Sequence, residues 1–231
     1  MEFHGLNKLT LLDFPKHLAC TLFTGRCNLR CPFCHNADLV LAPDTQPFIT
    51  EEKILAFLER RKDSLEGVCI TGGEPTLQKD LLPFLKQCKD MGYLTKLDTN
   101  GTRPDVIKAA LEEQLLDYIA MDIKNSPAQY AKTCGLSSVR FSAFEESVEL
   151  IKSSGLPYEF RTTVVKEFHT KEDFIAIGEW LAGAKCYALQ AFKDSGNLIQ
   201  PGLSGYTKAE LEEFKASLLP YFDEVLLRGI D

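Results

Sequence analysis

Short runs of β-branched and aromatic residues alternate with segments whose apolar positions recur at helical spacing, from one end of the chain to the other. The β-type runs cover residues 18–24, 67–71, 93–98, 117–122, 158–165, 185–190 and 223–227, and runs of this kind bounded by turn residues predict strands. Thr50-Glu51-Glu52-Lys53 opens a helix with Ile54, Leu55 and Leu58 on one face. Residues 80–91 form another, closed by Gly92 as C-cap. Pro104 suits the first turn of a third, which runs to about Leu115. Residues 141–154, 170–181 and 207–219 complete the set, the first of them ending before Gly155. Alternating strands and helices predict βα units on a parallel sheet, with the strand C-termini on one side. About six units fit, fewer than the eight of a full barrel. The expected fold is therefore α/β, an incomplete (β/α)6 TIM-like barrel of parallel strands. An open doubly wound sheet is the second choice. Residues 5–15 add an N-terminal edge strand. One domain is expected over residues 1–231, with a core at about 16–195 and a C-terminal helix and strand over 196–231.

Composition narrows the function. Lys plus Arg is 26 and Asp plus Glu is 33, a net charge of −7, with 45% hydrophobic residues. That is a globular composition, and its acidic balance argues against general binding to nucleic acid or anionic membranes. Met1-Glu2-Phe3-His4-Gly5 lacks a basic region followed by an apolar core, and no apolar run has membrane-spanning length. The expected compartment is the cytoplasm, where structural disulfides are disfavoured. The eight cysteines are then expected to be buried, reactive or metal-bound.

Cys27-Asn28-Leu29-Arg30-Cys31-Pro32-Phe33-Cys34 follows the first core strand directly. Its C-x3-C-x2-C spacing lets three thiolates converge on one centre if the chain wraps round it, and thiolates suit zinc or iron–sulfur clusters. A structural zinc needs a fourth ligand, which His35 is poorly placed to supply; a distant cysteine is the alternative. Three ligands suggest a cluster with one open iron. Three unrelated thiols are the remaining reading. Further motifs sit at the other strand ends: Gly72-Gly73-Glu74-Pro75, Asp98-Thr99-Asn100-Gly101 and Asp122-Ile123-Lys124. Taken singly, these are a turn, a hairpin-like turn and a solvated charge pair. Arg161 and Thr163 share one face of the fifth core strand, because side chains alternate, and Gln190 ends the sixth. An arginine inside a small barrel needs an anion. All of these residues fall where a parallel barrel builds its site.

The C-x3-C-x-aromatic-C segment resembles the cluster loop of the radical S-adenosylmethionine enzymes. The resemblance covers roughly residues 1–195. Within that superfamily the chain is similar to the glycyl-radical-enzyme activating proteins. Gly5-Leu6-Asn7-Lys8-Leu9-Thr10, Asp13-Phe14-Pro15 and Cys31-Pro32-Phe33-Cys34-His35-Asn36 resemble the single-domain type that activates anaerobic ribonucleoside-triphosphate reductase. The resemblance implies a [4Fe–4S] cluster on Cys27, Cys31 and Cys34, its fourth iron chelated by S-adenosylmethionine. It implies Phe33 and His35 beside the adenine, Gly72, Gly73 and Glu74 at the methionyl amine, and further cofactor contacts from Asp98, Thr99, Asn100, Asp122, Lys124, Arg161 and Gln190. It also implies a monovalent cation near Asp98 and Asp122. No catalytic side chain is expected beyond this shell, because hydrogen abstraction by a 5′-deoxyadenosyl radical needs no protein acid or base.

Two departures stand out. Where formate-lyase activators carry Pro-aromatic-His after the sixth strand, this chain has Gln190-Ala191-Phe192, and it lacks a cysteine-rich insert between Cys34 and Gly72. The other cysteines read as buried at 20, 69 and 186, helical at 88, and exposed at 134 beside Gly135. His4, His17 and His169 read as surface residues or as supports behind the site, and Trp180 as core. The implied activity is installation of a glycyl radical on a partner enzyme, anaerobic ribonucleotide reductase first, with a low-potential electron donor as the second partner. Pyruvate formate-lyase activation, radical chemistry on a small molecule, and a non-enzymatic electron-transfer or zinc protein are the alternatives.

Overall fold

The computed structural model describes residues 1–230. Its elements in chain order are β1 (Glu2–Thr10), β2 (Ala19–Thr24), α1 (Ala37–Leu41), β3 (Ile49–Thr50), α2 (Glu51–Arg61), β4 (Gly67–Gly72), α3 (Leu81–Asp90), β5 (Leu94–Thr99), α4 (Pro104–Glu112), β6 (Tyr118–Asp122), α5 (Tyr130–Thr133), α6 (Phe141–Ser153), β7 (Tyr158–Val164), α7 (Lys171–Leu181), β8 (Ala184–Ala191), α8 (Lys208–Leu218) and β9 (Phe222–Arg228). They build one nine-stranded sheet in the order β3-β1-β2-β4-β5-β6-β7-β8-β9. From β2 to β9 every neighbouring pair is parallel, and helical crossovers join them. The two ends of the sheet do not pair, so the barrel is incomplete as expected.

Local chemistry accounts for the helix boundaries. Thr170 and Thr207 each form a capping box, with Asp173 and Glu210 respectively, and start α7 and α8. Pro104 occupies the first turn of α4, where its missing N–H costs nothing. Gly92, with φ of +90°, lets the chain leave α3, and Tyr93 N returns to Cys88 O at 3.0 Å. The helices cover one side of the sheet through fully buried apolar residues such as Ile54, Phe84, Ile107, Ile151 and Ile177.

Three small differences from the sequence expectation concern short elements. The added strand is β1, which begins at Glu2 and stops at Thr10; residues 11–14 are bends and Pro15 opens a turn. It is also not the edge, because Glu2 and Phe3 pair with Thr50 and Ile49 of β3. Helices α1 and α5, of five and four residues, are too short to show a periodicity. Cys134 is a correction of another kind. It is fully buried rather than exposed, because the turn at Cys134-Gly135 docks on the loop after β2, with Arg30 N on Cys134 O at 2.8 Å. Cys20, Cys69 and Cys88 are buried and Cys186 half-buried.

The barrel interior carries charge. Glu159 of β7 is 1% exposed and holds Arg228 of β9 through two bonds of 2.8 and 2.6 Å, across the intervening β8. Burial opposes ionisation of Glu159, but its bonds to Arg228 win and hold it below the usual carboxylate range. Replacing Arg228 with Met leaves that carboxylate with the Tyr118 hydroxyl at 3.2 Å and Arg161 no closer than 4.0 Å. We expect Arg228→Met to lose about 3 kcal/mol of stability at pH 7, the usual scale for an orphaned buried charge. The wild-type carboxylate is worth most above its unfolded pKa, whereas the orphaned one is tolerated only when protonated. The deficit in urea unfolding should therefore shrink as the pH falls toward 5.

Candidate active site

The loops at the C-terminal ends of β2, β4, β5 and β6 enclose a cavity of about 150 Å³. Cys27, Cys31, Cys34, Phe33 and His35 line it from the first loop; Gly72, Gly73 and Glu74 from the second; Asp98, Thr99 and Asn100 from the third; Asp122 and Lys124 from the fourth. Arg161 and Thr163 reach it from β7. One expected residue is not in its walls: Gln190 of β8 lies in register with Thr163 at the next strand over.

Close backbone approaches hold the cysteine loop in place. Gly73 packs against Arg26 so tightly that a Cβ there would lie 2.0 Å from the Arg26 carbonyl oxygen. Gly72 adopts φ of +111°, and its carbonyl accepts Asn36 Nδ2 at 3.0 Å. Glu74 N bonds Arg26 O at 2.7 Å, and Gln78 Nε2 bonds Gly25 O at 2.9 Å. The glycine pair thus serves the loop itself as much as any ligand.

Glu74 is buried and its carboxylate takes four donors: Thr76 N at 3.0 Å, Thr76 Oγ1 at 2.5 Å, Thr99 Oγ1 at 2.8 Å and Asn100 N at 2.6 Å. Burial nonetheless raises its pKa. In this arrangement it ties the β4 loop to the β5 loop. Asn100 in turn donates to Asn28 Oδ1 at 2.9 Å and lies 3.7 Å from Cys27 Sγ. Leu29 N approaches the same sulfur at 3.4 Å.

Phe33 is 5% exposed and packs on the rings of Phe168 and His169. His169 is fully buried rather than at the surface, and its Nε2 reaches the Lys124 carbonyl at 2.8 Å, so it supports both Phe33 and Lys124 from behind. His35 donates to Lys193 O at 2.7 Å and stacks on Phe192, with ring centroids 5.4 Å apart. Phe192 thus lies against His35, which lines the cavity.

The floor of the cavity is an ionic network. Arg161 donates from Nε to Asp122 Oδ1 at 2.5 Å and from Nη2 to Asp98 Oδ2 at 3.0 Å. Lys124 Nζ bonds Asp122 Oδ2 at 3.0 Å, and Lys96 Nζ bonds Asp98 Oδ1. Burial opposes charge on Asp122, but Arg161 and Lys124 outweigh it and hold the carboxyl well below its ordinary range. Lys124 is raised correspondingly by Asp122 against its own burial. Lys96 was not anticipated. It stands two residues before Asp98, on the same strand face, so the alternation that pairs Arg161 with Thr163 would have found it.

Among the described residues, three thiols and no fourth line the cavity. Cys134, whose carbonyl accepts Arg30 N at 2.8 Å, does not line it. Burial pushes the Cys27 thiol up to about 12, so metal binding here must displace protons. Among the described residues no three thiol, imidazole or carboxylate groups close round a single ion. The donor set of three cysteines facing one space, with cationic side chains opposite, fits a three-cysteine cluster beside a ligand that bears a carboxylate.

The radical SAM superfamily model matches residues 21–181, and the chain belongs to that superfamily. Among its relatives, a protein of Methanocaldococcus jannaschii, provisionally named as a glycyl-radical enzyme activating enzyme, is 30% identical over 98% of this chain and 95% of its own length. The pyruvate formate-lyase-activating enzyme of Clostridium pasteurianum is 32% identical over 65% of this chain and 64% of its own. In fold, the chain is similar to Streptococcus suis SuiB bound to S-adenosylmethionine, with a TM-score of 0.70 at 15% identity. That likeness covers 90% of this chain but about half, 52%, of SuiB. The protein is thus an oxidoreductase-type enzyme whose cofactors are a [4Fe–4S] cluster and S-adenosylmethionine. Among the described residues, no helix is long and apolar enough to cross a membrane.

Anaerobically reconstituted protein should bind close to four irons, and Ala at Cys27, Cys31 or Cys34 should abolish this, because three ligands leave no spare. Stoichiometric zinc without iron would contradict it. For the floor, Asp122→Ala and Lys124→Ala should each weaken S-adenosylmethionine binding roughly tenfold to a hundredfold, the worth of one charge-assisted hydrogen bond. Iron content should not change. Calorimetric titration of the reconstituted variants reads the affinity, and iron analysis of the same samples reads the cluster.

Proposed function

We propose that this enzyme installs a glycyl radical on a partner protein, and that the partner is an anaerobic ribonucleoside-triphosphate reductase. The observation that carries the activase reading is the near-complete match in both directions to a relative provisionally named as an activating enzyme. The reductase as partner rests on the resemblance of residues 5–15 and of Cys31-Pro32-Phe33-Cys34-His35-Asn36 to that branch.

When bound and reduced, the cluster and S-adenosylmethionine supply a 5′-deoxyadenosyl radical. The chain's own residues do the rest. Cys27, Cys31 and Cys34 hold the cluster. Arg161 and Lys124 take the cofactor carboxylate, and Phe33 and His35 border the nucleoside. Gly72, Gly73, Glu74, Thr99 and Asn100 shape the wall on the methionyl side, and Gln190 flanks the mouth. Hydrogen abstraction demands contact, so a glycine-bearing loop of the partner must enter the open barrel. Ordering that loop costs about 1–2 kcal/mol per residue, so affinity should be modest. A low-potential electron donor completes the system, and we place it in the cytoplasm.

The test mixes reconstituted enzyme, S-adenosylmethionine and reductant with the reductase, and reads the glycyl doublet by electron paramagnetic resonance. A reductase with its radical glycine changed to alanine is the control. The doublet should appear only with the native reductase. A doublet on pyruvate formate-lyase alone would transfer the assignment to that partner. 5′-Deoxyadenosine formed only with a small metabolite would end the activase reading.

A further inference from the structure

The charges beneath the cavity do not form a cage for an alkali cation. A monovalent ion between Asp98 and Asp122 would draw on their carboxylate oxygens, and all four already carry a cationic donor. Asp98 Oδ1 takes Lys96 Nζ, and Asp98 Oδ2 takes Arg161 Nη2 at 3.0 Å. Asp122 Oδ1 takes Arg161 Nε at 2.5 Å, and Asp122 Oδ2 takes Lys124 Nζ at 3.0 Å. The ion implied by the sequence resemblance therefore does not fit these residues.

The three cations differ in placement. Arg161 and Lys124 line the cavity, where each can turn toward the carboxylate of a ligand. Lys96 does not line it. It is 1% exposed, its Nζ lies 5.5 Å from the centre of the Tyr118 ring and 3.9 Å from Cys69 Sγ, and Asp98 is its bonded partner. With Glu159 neutralised by Arg228, three cations face the two aspartates, which leaves one positive charge for an incoming carboxylate without any added metal. When a ligand engages Arg161, Asp98 keeps a counter-charge that cannot leave, because no solvent reaches Lys96. A second mobile cation would place two uncompensated charges beside a sulfonium in a low-dielectric site.

We infer that the Lys96 ammonium is the built-in counter-charge of Asp98 that takes the place of a bound alkali cation, which makes Lys96 a positioning residue for the S-adenosylmethionine carboxylate. The inference rests on S-adenosylmethionine occupying this cavity. It sets the chain apart from relatives that depend on a monovalent ion.

Alkali-cation dependence tests it. Reconstituted holoenzyme is titrated with S-adenosylmethionine in potassium chloride, then in tetramethylammonium chloride at equal ionic strength. Affinity is read calorimetrically, and the reduced cluster by electron paramagnetic resonance. Wild type should show the same affinity within twofold and the same line shape in both salts. Lys96→Ala should bind at least tenfold more weakly in tetramethylammonium and recover in potassium, which can enter the vacated space. A tenfold loss by wild type without potassium would overturn the inference. So would a folded Lys96→Ala that is unaffected in both salts, or equally weakened in both. Should Lys96→Ala fail to fold, the two wild-type titrations decide the question alone. Wild type with an intact cluster that binds no S-adenosylmethionine in either salt would sink the cofactor assignment, and this inference with it.

Discussion

Arg161 reaches Asp122 with one nitrogen and Asp98 with another, and the rest of the site is arranged round that bridge. A charge taken into a barrel interior costs several kcal/mol unless it is paired and hydrogen-bonded. Here the pairing is collective. Lys96 and Asp98 come from β5, Asp122 from β6, Glu159 and Arg161 from β7, and Arg228 from β9. No one of these residues could be buried alone. Their mutual satisfaction depends on strand register, with Asp122 directly opposite Arg161. The network therefore ties the strands whose C-terminal ends carry the site.

Above that floor, the cysteine loop owes its shape to backbone contacts more than to side-chain packing. The approach of Gly73 to Arg26 admits no Cβ, and Gly135 approaches the Arg30 carbonyl as closely, where a Cβ would lie 2.1 Å away. Two glycines from distant parts of the chain thus grip the loop on either side of Cys27. Glu74 and Asn100 then link the second and third loops to the first. A site meant to bind a cluster and a charged cofactor gains from such support, because ligands held in place before binding lose little entropy on it.

Much of this was legible along the chain. The strand and helix alternation, the loop cysteines, the strand-end motifs and the inward Arg161 are local patterns, and a parallel barrel gathers strand ends at one mouth whatever its details. Other residues were not legible for equally physical reasons. Alternation puts Lys96 on the face of Asp98, but a lone lysine in a strand ordinarily points to solvent, and its burial shows only once β6 supplies the Tyr118 ring and β7 supplies Arg161. Cys134 beside a glycine reads as an exposed turn, yet it is buried against the loop at Arg30, about a hundred residues earlier. His169, open to a surface or a supporting reading, takes the supporting one through the Lys124 carbonyl and the Phe33 ring.

The amino-acid sequence by itself determined which chemistry is available: three thiols at cluster spacing, carboxylates and cations at strand ends, glycines where backbone must approach. Alternation and spacing are properties of a few consecutive residues, so they survive without knowledge of the fold. The tertiary structure alone decided which charges neutralise one another, which glycine meets which carbonyl, and that Gln190 stands beside the cavity rather than in its wall. Those outcomes depend on register between strands far apart in sequence, where a shift of one residue would turn every inward side chain outward.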